Sequence, residues 1–308
     1  MDGGAGIDDL LAGISTAGDL VIYEGYDPGT PGAFALRGVW WVGPVPPGRN
    51  IASDFGGDLF VLSRLGCLPL SKLVAGGVLR DPNIYATAKI SNLFNVLMTE
   101  RGDRRGWSLK MHPQDNLLII NIPATPSRVQ QQITMSLASK GWSQHVGIPM
   151  MCMETWKGRL YFGTWFNQVC VNDGHVDGMK LDGTESAAID FALLTSYQDH
   201  GTVNRKRVHM VRPLFSTDDT VPGYAAEARY DFDLSEIPVS PVAVINPGSV
   251  WGTAIWDTAL WDDGVGTANE QRGTSGLGTS VAVIMRGTSK TNTTLIGFDV
   301  LMDQGGLL

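Results

Sequence analysis

The sequence predicts an all-β protein: a propeller-like domain carrying a helical insertion, followed by a β-sandwich. Three observations predict it. Glycine fills 38 of 308 positions while charged residues make up 18%, against roughly 7% and about 25% in ordinary globular chains, which favours turn-rich strands over helices. A short turn-and-strand motif recurs four times in the first half of the chain. Beyond about Thr184 the texture changes to long segments in which polar and apolar residues alternate. At 43% apolar residues the chain buries a core rather than staying disordered, and its length suits two domains of about 150 residues each.

The recurring motif places a glycine or asparagine turn ahead of Leu and then a β-branched or aromatic run. Its copies are Ala17-Gly18-Asp19-Leu20-Val21-Ile22-Tyr23, Gly57-Asp58-Leu59-Phe60-Val61-Leu62, Asp115-Asn116-Leu117-Leu118-Ile119-Ile120 and Lys157-Gly158-Arg159-Leu160-Tyr161-Phe162. Each reads as a hairpin turn leading into a buried strand. Between Leu20, Leu59, Leu118 and Leu160 the intervals are 39, 59 and 42 residues, two of them near the roughly 40 of a four-stranded propeller blade. The long middle interval holds an amphipathic helix predicted from Pro82 to about Met98, an insertion spanning about 82–101. Asp81 is its cap and Pro82 its first residue. Ala86, Ile90, Leu93, Phe94 and Leu97 form one apolar stripe, with Arg101 in the last turn and Gly102 at C′. The propeller-like domain is expected over 1–180.

The sandwich is expected over 181–308, with the boundary near Asp177 to Gly183. Its strands are Ala188 to Thr195, Val203 to Leu214, Tyr224 to Phe232 and Val281 to Arg286, alternating as a sheet with one wet face does. Asp218, Asp219, Pro222 and Gly223 mark a turn, and Pro238, Pro241 and Pro247 break the chain further on. Trp251, Trp256 and Trp261 recur every five residues, a spacing that fits neither a strand nor a helix and requires bends or a bulge between them. Such a ladder seals a core, meets a subunit or stacks sugars.

A formal charge of −8 argues against gripping nucleic acid through a general field. Cys67, Cys152 and Cys170 lack C-x-x-C spacing and read as reduced, structural thiols. Around Leu10 and Leu11 the chain is acidic and glycine-rich, unlike a signal peptide, and no apolar run approaches the roughly 20 residues that cross a bilayer. Gly273 to Gly278 lacks the spacing and the following helix of a phosphate loop. His112, His145, His175, His200 and His209 are scattered, so they read as solvated or core histidines, and no G-x-S-x-G exposes a serine nucleophile. Asp173, Asp177, Asp182 and Glu185 crowd one glycine-rich stretch but depart from a calcium-loop order, leaving solvated turn residues as the simpler reading. Two basic runs, Arg101-Gly102-Asp103-Arg104-Arg105 and Arg205-Lys206-Arg207, either touch phosphate or sit in a solvated loop and strand end. No catalytic, cofactor-binding or metal-binding residue is assigned.

One set of segments points to a family: Asp19 to Gly25 with Asp27-Pro28, Val39-Trp40-Trp41-Val42-Gly43, Gly56-Gly57-Asp58-Leu59 and Leu68-Pro69-Leu70-Ser71. It continues through Gly106-Trp107, His112-Pro113 with Asn116-Leu117, Gly141-Trp142, Leu160 to Gly163, Met210-Val211-Arg212-Pro213 and the tryptophan ladder. Their order resembles the virion proteins that form the lower tail (nozzle, or tail tubular protein) of short-tailed bacteriophages, in which a propeller joins further β domains. The resemblance implies one subunit of a ring, a homo-hexamer, below the portal and adaptor proteins and beside tail fibres or spikes. It implies a channel for double-stranded DNA that passes without specific binding, no catalysis, no cofactor and no membrane insertion. The implied location is the virion tail, assembled in the bacterial host cytoplasm. A closed ring needs two different complementary patches per subunit, and the helix near Ile84 to Met98 is expected to supply one. The family carries a substantial region ahead of the Asp2-Gly3-Gly4 stretch. Two origins are therefore open for missing propeller strands: a separate polypeptide supplies them, or the chain is a domain fragment or a split gene product. The rival readings are a carbohydrate-binding or carbohydrate-cleaving propeller that recognises a cell-surface glycan, and a scaffold unrelated to virions.

Overall fold

The computed structural model describes residues 10–25, 27–55, 57–76, 81–127, 130–178, 187–218, 222–237, 266–268 and 270–305. Trp251, Trp256, Trp261, Pro238, Pro241, Pro247, Asp219, Asp182, Glu185 and the Asp2-Gly3-Gly4 stretch lie outside the described residues. The protein is all-β and divides into two compact units, Met1–Asp173 and Gly174–Leu308.

The described strands of the first unit form four antiparallel sheets, each built from strands that are consecutive in the chain. Sheet 1 holds β1 (Leu10–Ile14), β2 (Asp19–Gly25) and β3 (Phe34–Trp41); sheet 2 holds β4 (Ala52–Phe55), β5 (Asp58–Ser63) and β6 (Gly66–Pro69). Sheet 3 holds β7 (Ser108–His112), β8 (Leu117–Ile122), β9 (Gln131–Ser136) and β10 (Trp142–Val146); sheet 4 holds β11 (Met150–Trp156), β12 (Arg159–Thr164) and β13 (Val169–Asn172). Each recurring leucine sits in the second strand of its sheet, and the residue two places before it has a left-handed backbone. The angles are φ +94° at Gly18, +81° at Gly57, +51° at Asn116 and +79° at Gly158. A Cβ is disfavoured there, and glycine and asparagine tolerate it best, which is why the motif has that letter at that position. Lys157 (φ +48°) and Gly158 together make the two-residue loop between β11 and β12 with the twist that antiparallel strands need.

The four sheets pack in series, with one apolar core between each consecutive pair. Leu20 and Ile22 of sheet 1 meet Leu59 and Leu68 of sheet 2. Phe60, Leu62 and Cys67 of sheet 2 meet Leu109, Leu118 and Ile120 of sheet 3. Leu117 and Ile119 of sheet 3 meet Met150, Met153, Leu160 and Phe162 of sheet 4. Successive side chains in a strand point to opposite faces, so β5 and β8 feed two cores at once and are apolar almost throughout. Leu59, Leu118 and Leu160 each face the preceding sheet, whereas Leu20 faces the following one, so sheet 1 is reversed relative to the other three.

The segment between β6 and β7 corrects the expectation of a single helix from Pro82. A short helix, α1 (Leu70–Val74), is followed by 3₁₀ turns at Pro82–Ile84 and Ala86–Ile90, and the regular helix α2 spans Ser91–Arg101. Asp81 caps as expected, its carboxylate accepting from the Asn83 amide at 2.9 Å. Tertiary contacts break the helix after it: Tyr85 turns extended and buries its ring in the first core, while Thr87 Oγ1 accepts from the Cys67 amide at 3.2 Å. Phe94 and Leu97 enter the second core with Ala86, Ile90 and Leu93 against it, as the stripe predicted. Gly102 keeps a helical φ of −59° instead of the left-handed one expected; it is small because a Cβ there would lie 2.3 Å from the Met98 carbonyl oxygen.

In the second unit sheet 5 pairs β14 (Ile189–Leu194), β19 (Val281–Ser289) and β16 (Gly223–Tyr230). In sheet 6, β15 (Lys206–Thr217) pairs with β17 (Gly266–Ala268), β18 (Arg272–Gly273) and β20 (Thr293–Gln304). Val208, Val211 and Phe215 of β15 and Phe298 and Val300 of β20 share one core with Tyr224, Ala226, Val281, Val283 and Met285 of sheet 5. The expected strands correspond to β14, β15, β16 and β19; β15 begins three residues later than expected, at Lys206, and β20 was not anticipated. β16 stops at Tyr230 because Asp231 (φ +47°) and Phe232 (φ +67°) turn left-handed. The Asp231 carboxylate holds that turn, accepting from the amide and hydroxyl of Thr279, both at 2.8 Å, and from the Ser280 amide at 3.0 Å.

Two outcomes follow for stability. Gly158→Ala places a methyl in open space and costs only the left-handed backbone, about 1–2 kcal/mol. Gly18→Ala costs clearly more, since its Cβ would also lie 2.1 Å from the Gly43 carbonyl oxygen; urea denaturation of both variants checks the order. The Ser280 amide, with the Thr279 hydroxyl and amide, holds the Asp231 carboxyl below the usual carboxylate range. A depressed native pKa contributes stability that is complete above the unfolded value of about 3.9 and is lost as pH falls through the native one. Asp231→Asn is therefore less stable than the native protein at neutral pH, and the gap narrows in denaturation experiments taken progressively below about pH 4.

Candidate functional site

The sheets at the two ends of the series differ from those inside it. Sheets 2 and 3 are covered on both faces, whereas sheets 1 and 4 each turn one apolar face outward. In sheet 1, Leu20 and Ile22 point into the core, so Val21 and Tyr23 point away from it. The strand register sets Leu11 and Leu36 beside Tyr23, and Val39 beside Val21. Phe34 stacks on Tyr23 with ring centroids 5.2 Å apart. Trp41, 49% exposed, is fixed by its indole N–H donating to the Ala17 carbonyl at 3.0 Å. An antiparallel sheet with one solvated face ordinarily makes that face polar; here it is aliphatic and aromatic, with Asp19 at the corner opposite Trp41.

Sheet 4 repeats the arrangement. Leu160 and Phe162 point inward, and Tyr161, Val169 and Val171 share the other face by register. Trp156, 59% exposed, meets Tyr161 edge-on at 5.9 Å and carries the Lys157 ammonium 4.6 Å above its ring, a cation–π contact. Trp165 and Phe166 pack edge-on at the tip of the β12–β13 hairpin. Arg159, opposite Trp156 in the register, lies 3.6 Å from Asp173. Glu154, opposite Tyr161 in the register and so an acid on this otherwise largely apolar face, reaches Lys110 of sheet 3, and that contact is the main reason its carboxyl is held below the usual carboxylate range.

The residues singled out in the sequence scatter. The inserted helix, expected to form a subunit patch, buries its stripe in the second core and leaves Val96 as its exposed large apolar side chain. All three cysteines are free: Cys67 is buried, Cys170 is half-buried and Cys152 is exposed, so the structural reading fits Cys67, whose thiol burial pushes well above its ordinary range. His112 is buried in β7, its Nε2 3.3 Å from the Asn172 carbonyl oxygen; His209 Nε2 lies 2.8 Å from Asp303. Asp177 exchanges backbone hydrogen bonds with Ala187. Among the described residues no group of three or more His, Cys, Asp or Glu is placed to hold a metal ion. A shallow depression beside the β2–β3 hairpin is lined by Glu24, Leu36 and Arg37, and Glu24 is engaged by Arg37 at 3.4 Å. No helix among the described residues is long and apolar enough to cross a membrane.

Each basic run is corrected at one residue, while Arg104, Arg105, Arg205 and Arg207 are exposed as expected. Arg101 is buried rather than solvated: its guanidinium donates to the Pro123 carbonyl at 3.3 Å and its own carbonyl accepts from the Trp107 indole at 2.9 Å. Arg104 donates to the Ala124 carbonyl at 3.1 Å, and Asp103 pairs with Arg64. Lys206 is fully buried, and its ammonium donates to the carbonyls of Thr202 at 2.6 Å, Asn204 at 3.0 Å and Thr279 at 2.7 Å. Three lone-pair acceptors satisfy its three N–H donors and tie two loops to the start of β15. Lys206→Met leaves three carbonyls without their donor and is expected to cost about 2–4 kcal/mol, read as a lowered urea midpoint with unchanged slope.

In comparison with known proteins, no family model matches this chain and no curated protein matches it.

Proposed function

We propose that the chain is a structural component of a short phage tail, one subunit of a nozzle ring through which DNA leaves the particle. The observation that carries this reading is the pair of outward apolar faces on sheets 1 and 4. A series of meanders covered on both sides in its middle, with exposed apolar side chains on the sheets at its two ends, suits an assembly in which neighbouring protein packs on those ends. Four meanders that share one turn chemistry and pack in chain order support a propeller-like first domain. Two sheets facing one core support a β-sandwich in the second.

Several of the segments that carry the resemblance lie among the described strands and cores of this scaffold. Trp40 and Trp41 occupy β3, and Trp107 is fully buried in the second core. His112 ends β7 and Asn116 lies in the β7–β8 turn, and Met210 to Pro213 lie in β15. The net charge of −8 suits a conduit, because a strongly basic wall would retain a polyanion. Catalysis has no part in this reading, and the subunit's neighbours are its own copies and the portal–adaptor complex.

The aromatic group on sheet 4, Trp156, Tyr161, Trp165 and Phe166, favours one second reading, a platform on which sugar rings stack. Glycan-array binding and release of reducing sugar would favour it over the first. For the tail reading, the chain is expected in purified particles at several copies each by mass spectrometry, and rings are expected by electron microscopy when it is mixed with its portal–adaptor complex. Absence from particles, or persistent monomers beside intact adaptor, overturns the proposal.

A further inference from the structure

We infer that the outward face of sheet 1 docks, head to tail, against the outward face of sheet 4 of a second copy of this chain. The inference deepens the ring reading and rests on it for closure, since heterologous contacts close only when the rotation between copies allows it. Stacked repeat structures stay soluble when their terminal units present polar outer faces. Here both ends are apolar: Val21, Tyr23, Val39 and Trp41 at one, Trp156, Tyr161, Val169 and Val171 at the other.

Charge selects which faces meet. Asp19 stands at the edge of the first face beside Trp41; on the second, Arg159 pairs with Asp173 and Glu154 with Lys110, and the Lys157 ammonium stands over Trp156 at the edge. Pairing like faces gathers acid with acid and base with base; pairing unlike faces sets acid against base. The contact is also small. Three strands about 4.8 Å apart and about seven residues long offer a footprint of roughly 300 Å², small beside the about 800 Å² per partner of a standard stable complex. One junction is therefore weak, and a closed ring, in which every copy makes two, is the arrangement that holds.

Sedimentation velocity over a wide concentration range tests this with two variants at exposed strand positions, Val39→Asp (58% exposed) and Val169→Asp (81% exposed). The native chain is expected to self-associate beyond a dimer as concentration rises. Each variant alone has one face blocked in every copy and is expected to associate at least about tenfold more weakly, because the contact would bury an unpaired charge. An equimolar mixture regains one junction, between sheet 4 of V39D and sheet 1 of V169D, and stops at a heterodimer. Circular dichroism checks the fold, and Leu36→Asp or Val171→Asp replaces a variant that fails to fold. A native chain that stays monomeric, a single variant that self-associates as tightly as the native chain, or a mixture without heterodimer overturns the inference. Copies found in particles without this self-association defeat the docking and leave the tail reading standing. Docking by a chain absent from particles does the reverse.

Discussion

Every side chain of β5 and β8 has to be accommodated by a core, because Leu59 and Phe60, or Leu118 and Ile119, point to opposite faces and both faces are covered. That constraint propagates through the first unit. It forbids the polar alternation of a half-solvated sheet, so β5 and β8 read as nearly continuous apolar runs, and the chain reverses in tight loops at the strand ends. The left-handed residue before each recurring leucine supplies those reversals. Glycine or asparagine is thus demanded by backbone sterics at the same offset that places leucine in a core.

The junctions are not alike. Between sheets 1 and 2 the contact is largely apolar, whereas polar groups mix into the junction of sheets 3 and 4. Asn121 Oδ1 accepts from Gln130 at 3.1 Å and Gln132 at 3.0 Å, and Gln132 also donates across to the Ile148 carbonyl at 3.1 Å. Thr155 donates to the Met111 carbonyl at 3.2 Å, and Lys110 pairs with Glu154. Directional bonds of this kind fix one register where apolar packing alone tolerates several.

Legibility in the sequence followed range. The four turns and the strands behind them depend on local sterics, and the glycine or asparagine two residues before leucine marks each one. The helix start was misjudged because Tyr85 and Thr87 answer to partners in sheets 1 and 2, which no helical periodicity encodes. Lys206 read as a solvated strand end since its acceptors include Thr279, 73 residues away in the chain. β20 carries visible alternation from Thr293 to Gln304, but its partner β15 lies far upstream. The continuous apolar run in β2 signals that both faces are hydrophobic, yet it cannot say that one of them is left bare. For that reason the exposed faces of sheets 1 and 4 are not legible in the sequence.

The two units also differ in how far apart their paired strands lie. In the first, every sheet closes on strands that follow one another, so each meander can form as soon as it leaves the ribosome. In the second, β14 pairs with β19 and β15 with β20 across roughly ninety residues, and loops of that span are slow to close. β20 follows its partner β15 in the chain, so termination anywhere before Thr293 leaves β15 without its longest partner while the first unit is already built.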